Sequence, residues 1–461
     1  MTRGSGGGGT ARMRAVNILR EVLERGARAA PLVGERGGDL GDADRGLLRE
    51  LVLGVLRWRD ALDSEIAGTS RVPLQRLAPN LREILEVALY QLRHLDRVPD
   101  YAAVSAAVDH ARASGGEGAA RLVNGVLRGI LLLPPPPAPG AVGAALAAAR
   151  GRGQAPPLQH AEEPVRTLAT YYSHPRFLVE RWLERFGEAQ TRRILEADNR
   201  PPGLDLMANP RRTDRGSLSA ALLLEGIRTE PSALAPLALT VVSGNPIRSP
   251  LFSAGHFFVQ DTGSQALPLL LPAGETLLDL AAAPGGKSFS AIAHGRCRRS
   301  AALDLSLPRL LLLEENRRRL GTPEAYPVAA DLARLPFLPG RFDRVLLDAP
   351  CSGTGTLRKN PESRYRVTPE AIERLARAQE AFLAAAAELL APGGYLLYST
   401  CSVEEEENER VVARVLGRDP LLEPAPIDAP PGLRELVRGS LLRLFPGDST
   451  DGFTAHLLRR R

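Results

Sequence analysis

The chain has 461 residues, 44% hydrophobic and 24% charged, a balance that suits a globular protein of roughly three domains at about 100 to 200 residues each. Its three cysteines, Cys297, Cys351 and Cys401, form no C-x-x-C pair, which excludes a disulfide framework and a cysteine-rich zinc site; no metal is expected, and a reducing cytoplasm fits best. The net charge of +6 permits a polyanionic partner, while no apolar leader or run of about 18 apolar residues suggests secretion or a membrane span.

The glycine-rich residues 1–10 are expected to be disordered. Helical periodicity follows. In LLRELVLGVLRWRD, Leu47, Leu48, Leu51, Val52, Val55 and Leu56 share one helical face, and in LREILEVALYQLRHL so do Leu81, Ile84, Leu85, Ala88, Leu92 and Leu95. With helices expected over 11–24, 101–113 and 121–132, residues 11–133 read as an all-helical bundle. The Pro, Ala and Gly of 134–160 read as a linker. Residues 161–250 mix two helices, RFLVERWLERFG and QTRRILEADN, with short strands around SLSAALLLEGI, and so read as a small α+β module.

From residue 251 to 461 strands alternate with helices, the pattern of an α/β Rossmann-like domain with a parallel sheet. The expected strands are TLLDLA, RSAALDL, YPVAA, RVLLDA and GYLLYS. Ligands of open α/β sheets bind beyond the carboxyl ends of the strands, so the chemistry is sought there. The first strand leads into LLDLAAAPGGKS. This is a glycine turn before a helix, but Ala281 and Pro284 stand where a phosphate-binding P-loop needs glycine and a free amide. The next three strands lead to Asp304, Asp331 and Asp348. One such acid alone reads as a helix N-cap; three in series behind a glycine turn point to an adenosine-bearing cofactor.

The fourth and fifth strands lead to thiols, Cys351 in DAPCSGTG and Cys401 in YSTCSVEEEEN. A thiol there acts as a nucleophile if its pKa is depressed, for which Lys287, Arg358 or a helix amino end would serve. Cys297 has no such setting and reads as structural. The acidic run EEEEN reads as a solvated first helical turn. The basic run LRKNPESRYR, residues 357–366, reads as a phosphate contact through Arg358, Lys359 and Arg364.

DAPCSGTGTLRKNP, YSTCSVEEEEN and LLDLAAAPGGK together resemble the S-adenosylmethionine-dependent RNA cytosine-5 methyltransferases. Residues 42–63, 88–109 and 121–130 resemble the NusB-like RNA-binding domain, and HPRFLVERWLERFG with EADNRPP resembles the segment that follows it. This arrangement is similar to the bacterial RsmB (Sun, Fmu) type, which modifies 16S ribosomal RNA. The resemblance implies a cofactor site over Ala281, Ala282, Ala283, Pro284, Gly285, Gly286 and Lys287, with Asp304 at the ribose, Asp331 at the adenine and Asp348 at the reacting base. It implies Cys401 as nucleophile, Cys351 in product release and Lys287 in support. DNA cytosine-5 methyltransferases, which attack through a proline-cysteine motif, would suggest Cys351 as nucleophile instead. Two departures are Ala281, where the family often has cysteine, and LDLMANPRRTDR, where it usually has an arginine-bearing strand.

The expected substrate is 16S ribosomal RNA, free or in an early small-subunit intermediate, with the cytosine at position 967 as target and the enzyme a cytoplasmic monomer. Two rivals stay open: a 5-methylcytosine enzyme acting on tRNA or another ribosomal site, and a non-catalytic NusB-like RNA-binding or antitermination factor.

Overall fold

The computed structural model describes residues 10–78, 80–139, 158–447 and 450–461, the side chains of 158–163 excepted. Residues 1–9 and 140–157, which hold the expected disordered start and most of the expected linker, lie outside the described residues. By contacts the chain forms two units. One comprises residues up to Pro201 together with Leu357–Arg366; the other comprises Pro202–Thr356 and Val367–Arg461.

The first unit is helical. Ala11–Arg25 begins with Thr10, whose Oγ1 accepts from the Met13 amide, and ends at Gly26, where φ +67° suits glycine. It packs with Asp42–Thr69, Leu81–His94 and Asp100–Leu131 around an apolar core that includes Ile18, Leu51, Leu85 and Leu127. A Cβ on Gly54 would lie 2.1 Å from the Tyr90 ring, so glycine there sets how closely two helices approach. Non-helical angles at Gly116 break Asp100–Leu131 where the sequence predicts two helices. Leu158–Tyr172 and Arg176–Asn199 belong to this unit, although the sequence assigns 158–160 to the linker and the rest to the α+β module. So does the short turn Pro361–Tyr365. The Arg364 guanidinium, 1% exposed, donates to the carbonyls of Arg57, Tyr172, Ser173 and Asp198 and to Asn199 Oδ1, at 2.7 to 3.2 Å. Tyr365 donates to Leu56 O at 2.8 Å, and Glu362 accepts from the Ala29 amide at 3.0 Å.

The second unit holds two sheets. Strands β1 (Leu204–Ala208), β2 (Arg228–Pro231), β3 (Ala238–Ser243) and β4 (Phe257–Val259) make an antiparallel sheet in the order β2-β3-β1-β4. The α+β module therefore runs past the expected boundary at 250, because β4 pairs with β1. In the larger sheet β5 (Thr276–Leu280), β6 (Arg299–Asp304), β7 (Ala325–Ala329), β8 (Phe342–Asp348) and β9 (Leu390–Thr400) lie at the five predicted positions. They run parallel in the order β9-β8-β5-β6-β7. Four further strands were not foreseen: β10 (Leu422–Pro424), β11 (Val437–Arg438), β12 (Leu441–Leu444) and β13 (Phe453–Arg460). Antiparallel β13 pairs with β9.

Beneath the glycine turn, Asp279 of β5 is fully buried. Its Oδ2 accepts from Ser288 Oγ at 2.7 Å, Oδ1 has no partner among the described residues, and burial pushes its pKa up from 3.8 to about 7. The folded state then binds more protons than the unfolded one. The contribution of this group is full below pH 3.8 and is lost as pH rises through about 7, on the order of 4 kcal/mol in all. Asp279→Asn should flatten the decline of Tm between those pH values; melts across that range check it, and an unchanged slope would assign the decline elsewhere. Arg364→Ala removes the guanidinium from five buried acceptors, of which Tyr172 O keeps the Asn199 amide, and should cost about 3–5 kcal/mol in chemical denaturation; a loss below about 1 kcal/mol would mean the site relaxes or hydrates.

Candidate active site

The turn after β5 hangs on the end of β6. The Ala282 amide donates to Leu303 O at 2.7 Å and the Ala283 amide to Asp304 Oδ2 at 3.2 Å. Asp304 also accepts from the Ser306 amide at 2.9 Å and pairs with Arg309 at 3.1 Å, while Arg309 donates to Ala283 O. Ala281 adopts φ +63° and Gly285 φ +104°, the left-handed region that opens a tight turn. Side chains are shut out of its base: a Cβ on Gly285 would meet the Phe289 ring at 2.4 Å, and one on Gly286 the Gln260 amide at 2.9 Å. The helix Gly286–Ala293 starts there, so a bare backbone turn, a helix amino end and a carboxylate on the next strand lie side by side. This donor set fits an adenosine-bearing cofactor, with Asp304 for ribose hydroxyls and the turn for close backbone approach. Asp331 lies in an exposed turn after β7, its Oδ1 accepting from the Ala333 amide at 2.9 Å.

Lys287, in the first turn of that helix, reaches Asp348 Oδ2 at 2.6 Å, and Ser399 Oγ donates to Asp348 Oδ1 at 2.9 Å. Burial opposes the Lys287 charge, but the Asp348 carboxylate outweighs it, with Asp279 and Cys401 adding to the effect, so the pKa of Lys287 rises and the ammonium persists. Beyond the ends of β8 and β9 the two thiols meet, Cys351 Sγ to Cys401 Sγ 3.2 Å. The hydrogen bond with Cys401, then burial, pushes Cys351 well above an ordinary thiol. Buried Cys297, in an apolar cluster, is pushed up to about 12 by burial, as suits an inert thiol.

The thiol loop is held from an unforeseen direction. Glu407 is fully buried, and its carboxylate accepts from the Ser352 amide at 2.8 Å, from Ser352 Oγ at 2.5 Å and from Gln379 Nε2 at 3.1 Å. Tyr398 donates to the Glu407 carbonyl at 2.6 Å and Gln379 to Pro350 O at 2.8 Å. Burial raises the pKa of Glu407, against the hydrogen bonds that favour its anion. Asn408, also buried, donates to Ser402 O and Glu404 O and accepts from Thr400 Oγ1. The reading of EEEEN as a solvated turn is thus corrected: Glu404, Glu406, Glu407 and Asn408 are buried and Glu405 is half-buried. Glu407 ties the Cys401 loop to the Cys351 loop, and Asn408 braces the Cys401 loop from within. Gly355 adds to this tie, its amide donating to Cys401 O at 2.9 Å and its carbonyl accepting from Gly452 N at 2.7 Å. A Cβ on Gly355 would lie 2.5 Å from Gly452 O.

Cys351, Cys401, Asp348 and Lys287 are thus brought together, with Asp304 and the glycine turn on the neighbouring strand ends. Arg358, Lys359 and Arg364 belong to the helical unit. Lys359 is partly exposed. Arg358 is buried, and its carbonyl accepts from Arg57 at 3.0 Å. The phosphate contact expected of Arg364 is corrected, because the side chain is buried and its Nη1 and Nη2 are engaged inside the unit. Sequence reasoning missed Glu407, Gln379, Tyr398 and Ser399. Only Ser399 carried a signal, one position before the Thr-Cys pair at a strand end.

Family models match three parts of the chain: the NusB family over residues 9–131, a ferredoxin-like domain of RsmF/B-like methyltransferases over 174–248, and the 16S rRNA methyltransferase RsmB/F over 266–459. The "Probable ribosomal RNA small subunit methyltransferase B" of Bacillus subtilis is 33% identical over 92% of this chain and 93% of its own. The "Ribosomal RNA small subunit methyltransferase B" of Klebsiella pneumoniae is 31% identical over 98% of both. Among solved structures, a methyltransferase homologue from Pyrococcus horikoshii is 26% identical, with a TM-score of 0.55, and covers 64% of this chain and 99% of its own. The fold of PH0851 superposes with a TM-score of 0.74 at 24% identity, over 97% of this chain and 98% of that one. With curated relatives above 30% identity along nearly its whole length, and a site whose turn and carboxylates suit S-adenosylmethionine, the chain belongs to the RsmB family of ribosomal RNA small subunit methyltransferases.

Proposed function

We propose that this protein methylates C5 of a cytosine in 16S ribosomal RNA, the position-967 cytosine being the expected target, through a covalent adduct between Cys401 and C6 of the base. The observation that carries the reading is the pair of thiols 3.2 Å apart beside the Lys287 and Asp348 pair. A hydrolase or a binding module has no use for two thiols and a paired carboxylate at one strand edge, whereas this reaction needs each of them.

S-adenosylmethionine, when bound, supplies an electrophilic methyl group. Asp304 and the turn Ala281–Lys287 would hold it, with Asp331 on its adenine side. Cytosine C5 is a poor nucleophile, so the Cys401 thiolate adds at C6 and the displaced π pair makes C5 nucleophilic toward the methyl group. Asp348, fixed between Lys287 and Ser399, faces N3. A proton shared with Lys287 neutralises the charge that builds on the ring. After transfer C5 carries both hydrogen and methyl. A base removes that hydrogen, its electron pair restores the C5–C6 double bond, and the C6–S bond breaks to return the Cys401 thiolate.

Cys351 suits the proton-removing step. Its charge is opposed by Cys401 in the resting site; once Cys401 is bonded to carbon, that opposition is gone. The target base must leave its stack to reach the thiols, which fits an unpaired segment of free or partly assembled rRNA.

Incubation of the full chain with S-adenosylmethionine and 16S rRNA, followed by bisulfite mapping, should show one new 5-methylcytosine. Cys401→Ala should abolish it, and full activity in that variant would refute the mechanism. Cys351→Ala should instead accumulate a protein and RNA adduct that survives a denaturing gel. Glu407→Gln loses one of the acceptors that hold Ser352 and should slow turnover on the order of 100-fold while cofactor affinity is kept; unchanged turnover would separate Glu407 from the thiol geometry.

A further inference from the structure

The amino ends of the parallel strands, at the opposite end of the larger sheet from the thiols, border a second cleft of about 510 Å³. Arg299 opens β6 and Phe342 opens β8; Tyr326 of β7, Phe337, Leu338 and Arg341 complete the lining used here. The seven residues of β8 put it roughly 20 Å from Asp348 at the rise of a strand.

Its walls combine two features. Apolar surface is left open: Tyr326 is 55% and Leu338 72% exposed, above an edge-on pair of Phe337 and Phe342 rings with centroids 5.2 Å apart. Charge is left open as well. Arg299 and Arg341 are exposed, and among the described residues neither guanidinium has an ion-pair or hydrogen-bond partner. Neighbouring arginines are engaged, Arg298 with Glu275 at 3.6 Å and Arg344 with the carbonyls of Pro272, Ala273 and Asp343. The volume lies within the range of small-ligand sites.

Free guanidiniums beside an uncovered aromatic ring are what a single RNA strand uses, phosphate on the cations and base on the ring. We infer that this cleft seats a nucleotide of the RNA substrate away from the target base, with Arg299 and Arg341 on its phosphate and Tyr326 against its base. The inference rests on RNA being the substrate. At 3.4 Å per nucleotide along a strand, about six nucleotides span the distance to the thiol end. An acidic protein would satisfy the arginines equally well, but the polyanion this family acts on must in any case continue beyond the reacting base.

The test uses the full chain and two fluorescent RNAs centred on the target, one of about five nucleotides and one of about forty, with affinity read by anisotropy across salt. For the long RNA, Arg299→Ala with Arg341→Ala should weaken binding about tenfold and reduce the slope of log K on log salt by about 1.4, the value for two single-strand phosphate contacts. Tyr326→Ala should weaken it about tenfold with the slope unchanged. The short RNA and S-adenosylmethionine, the latter by calorimetry, should bind all variants alike. Unchanged affinity for the long RNA in the arginine variant overturns the inference, and so does Tyr326→Ala without effect, which would leave only diffuse attraction. Retained RNA affinity with lost binding of an acidic ribosomal protein overturns it in favour of a protein partner. If the wild type binds the long RNA through this cleft yet forms no 5-methylcytosine, the proposed reaction fails and the cleft assignment stands.

Discussion

The register of β8 against β9 is the constraint on which the site depends. These parallel strands place Asp348 opposite Ser399. Three residues beyond the first lies Cys351 and two beyond the second lies Cys401, so both loops leave the same edge and their thiols converge. On its other side β8 pairs with β5, Leu347 opposite Leu280, which brings the glycine turn and Lys287 to the same edge. Because strand side chains alternate between faces, a slip of one residue between β8 and β9 would turn Ser399 away from Asp348 and separate the thiols. The buried runs Val345 to Leu347 and Leu396 to Tyr398 hold that register, since any slip would bring polar residues into the core.

That constraint also explains what the sequence could reveal. Apolar runs ending in Asp304, Asp348 or a Thr-Cys pair are local patterns, and all five parallel strands lie where those patterns put them. Which strands are neighbours is not local, and neither is the far edge of the sheet. In β13 the residues Phe453, Thr454, Ala455, His456 and Leu457 do alternate, but Thr454 and His456 are as buried as their apolar neighbours, so the alternation marks no solvent face and nothing local shows the antiparallel pairing with β9. The glycine pair Gly355 and Gly452 is equally silent in sequence. Its requirement for glycine arises from two backbones that cross nearly a hundred residues apart.

Charged runs misled for a related reason. In EEEEN four identical residues carry no signal of direction, and surface solvation is the common fate of such a run. The short turn Glu405–Glu407 carries its third residue inward, onto the Ser352 amide. In LRKNPESRYR the density of charge suggested phosphates, yet the acceptors of Arg364 come from helices 165 to 307 residues away. A buried cation whose two terminal nitrogens bond to protein oxygens cannot be told by composition from one that faces solvent. Placement in the helical unit also gives this segment a role beyond charge. Within that unit Arg364 joins the carbonyls of Arg57 and Asp198, so the segment packs as part of the helical core.

The titratable groups around the thiols share one tendency. Burial raises Asp279 and Glu407, and Asp348 raises Lys287. A site built this way responds strongly to the charge of any one member, because little water remains to screen it. At 3.2 Å, two thiolates would repel one another, so the pair carries at most one negative charge at a time. In the proposed reaction this restriction separates the two steps. While Cys401 is the free thiolate Cys351 must remain a thiol, and when Cys401 becomes a thioether its share of the opposition is removed, leaving burial, Glu407 and Asp348 against a Cys351 charge. In that reaction the electrostatics of the pair places attack before proton removal.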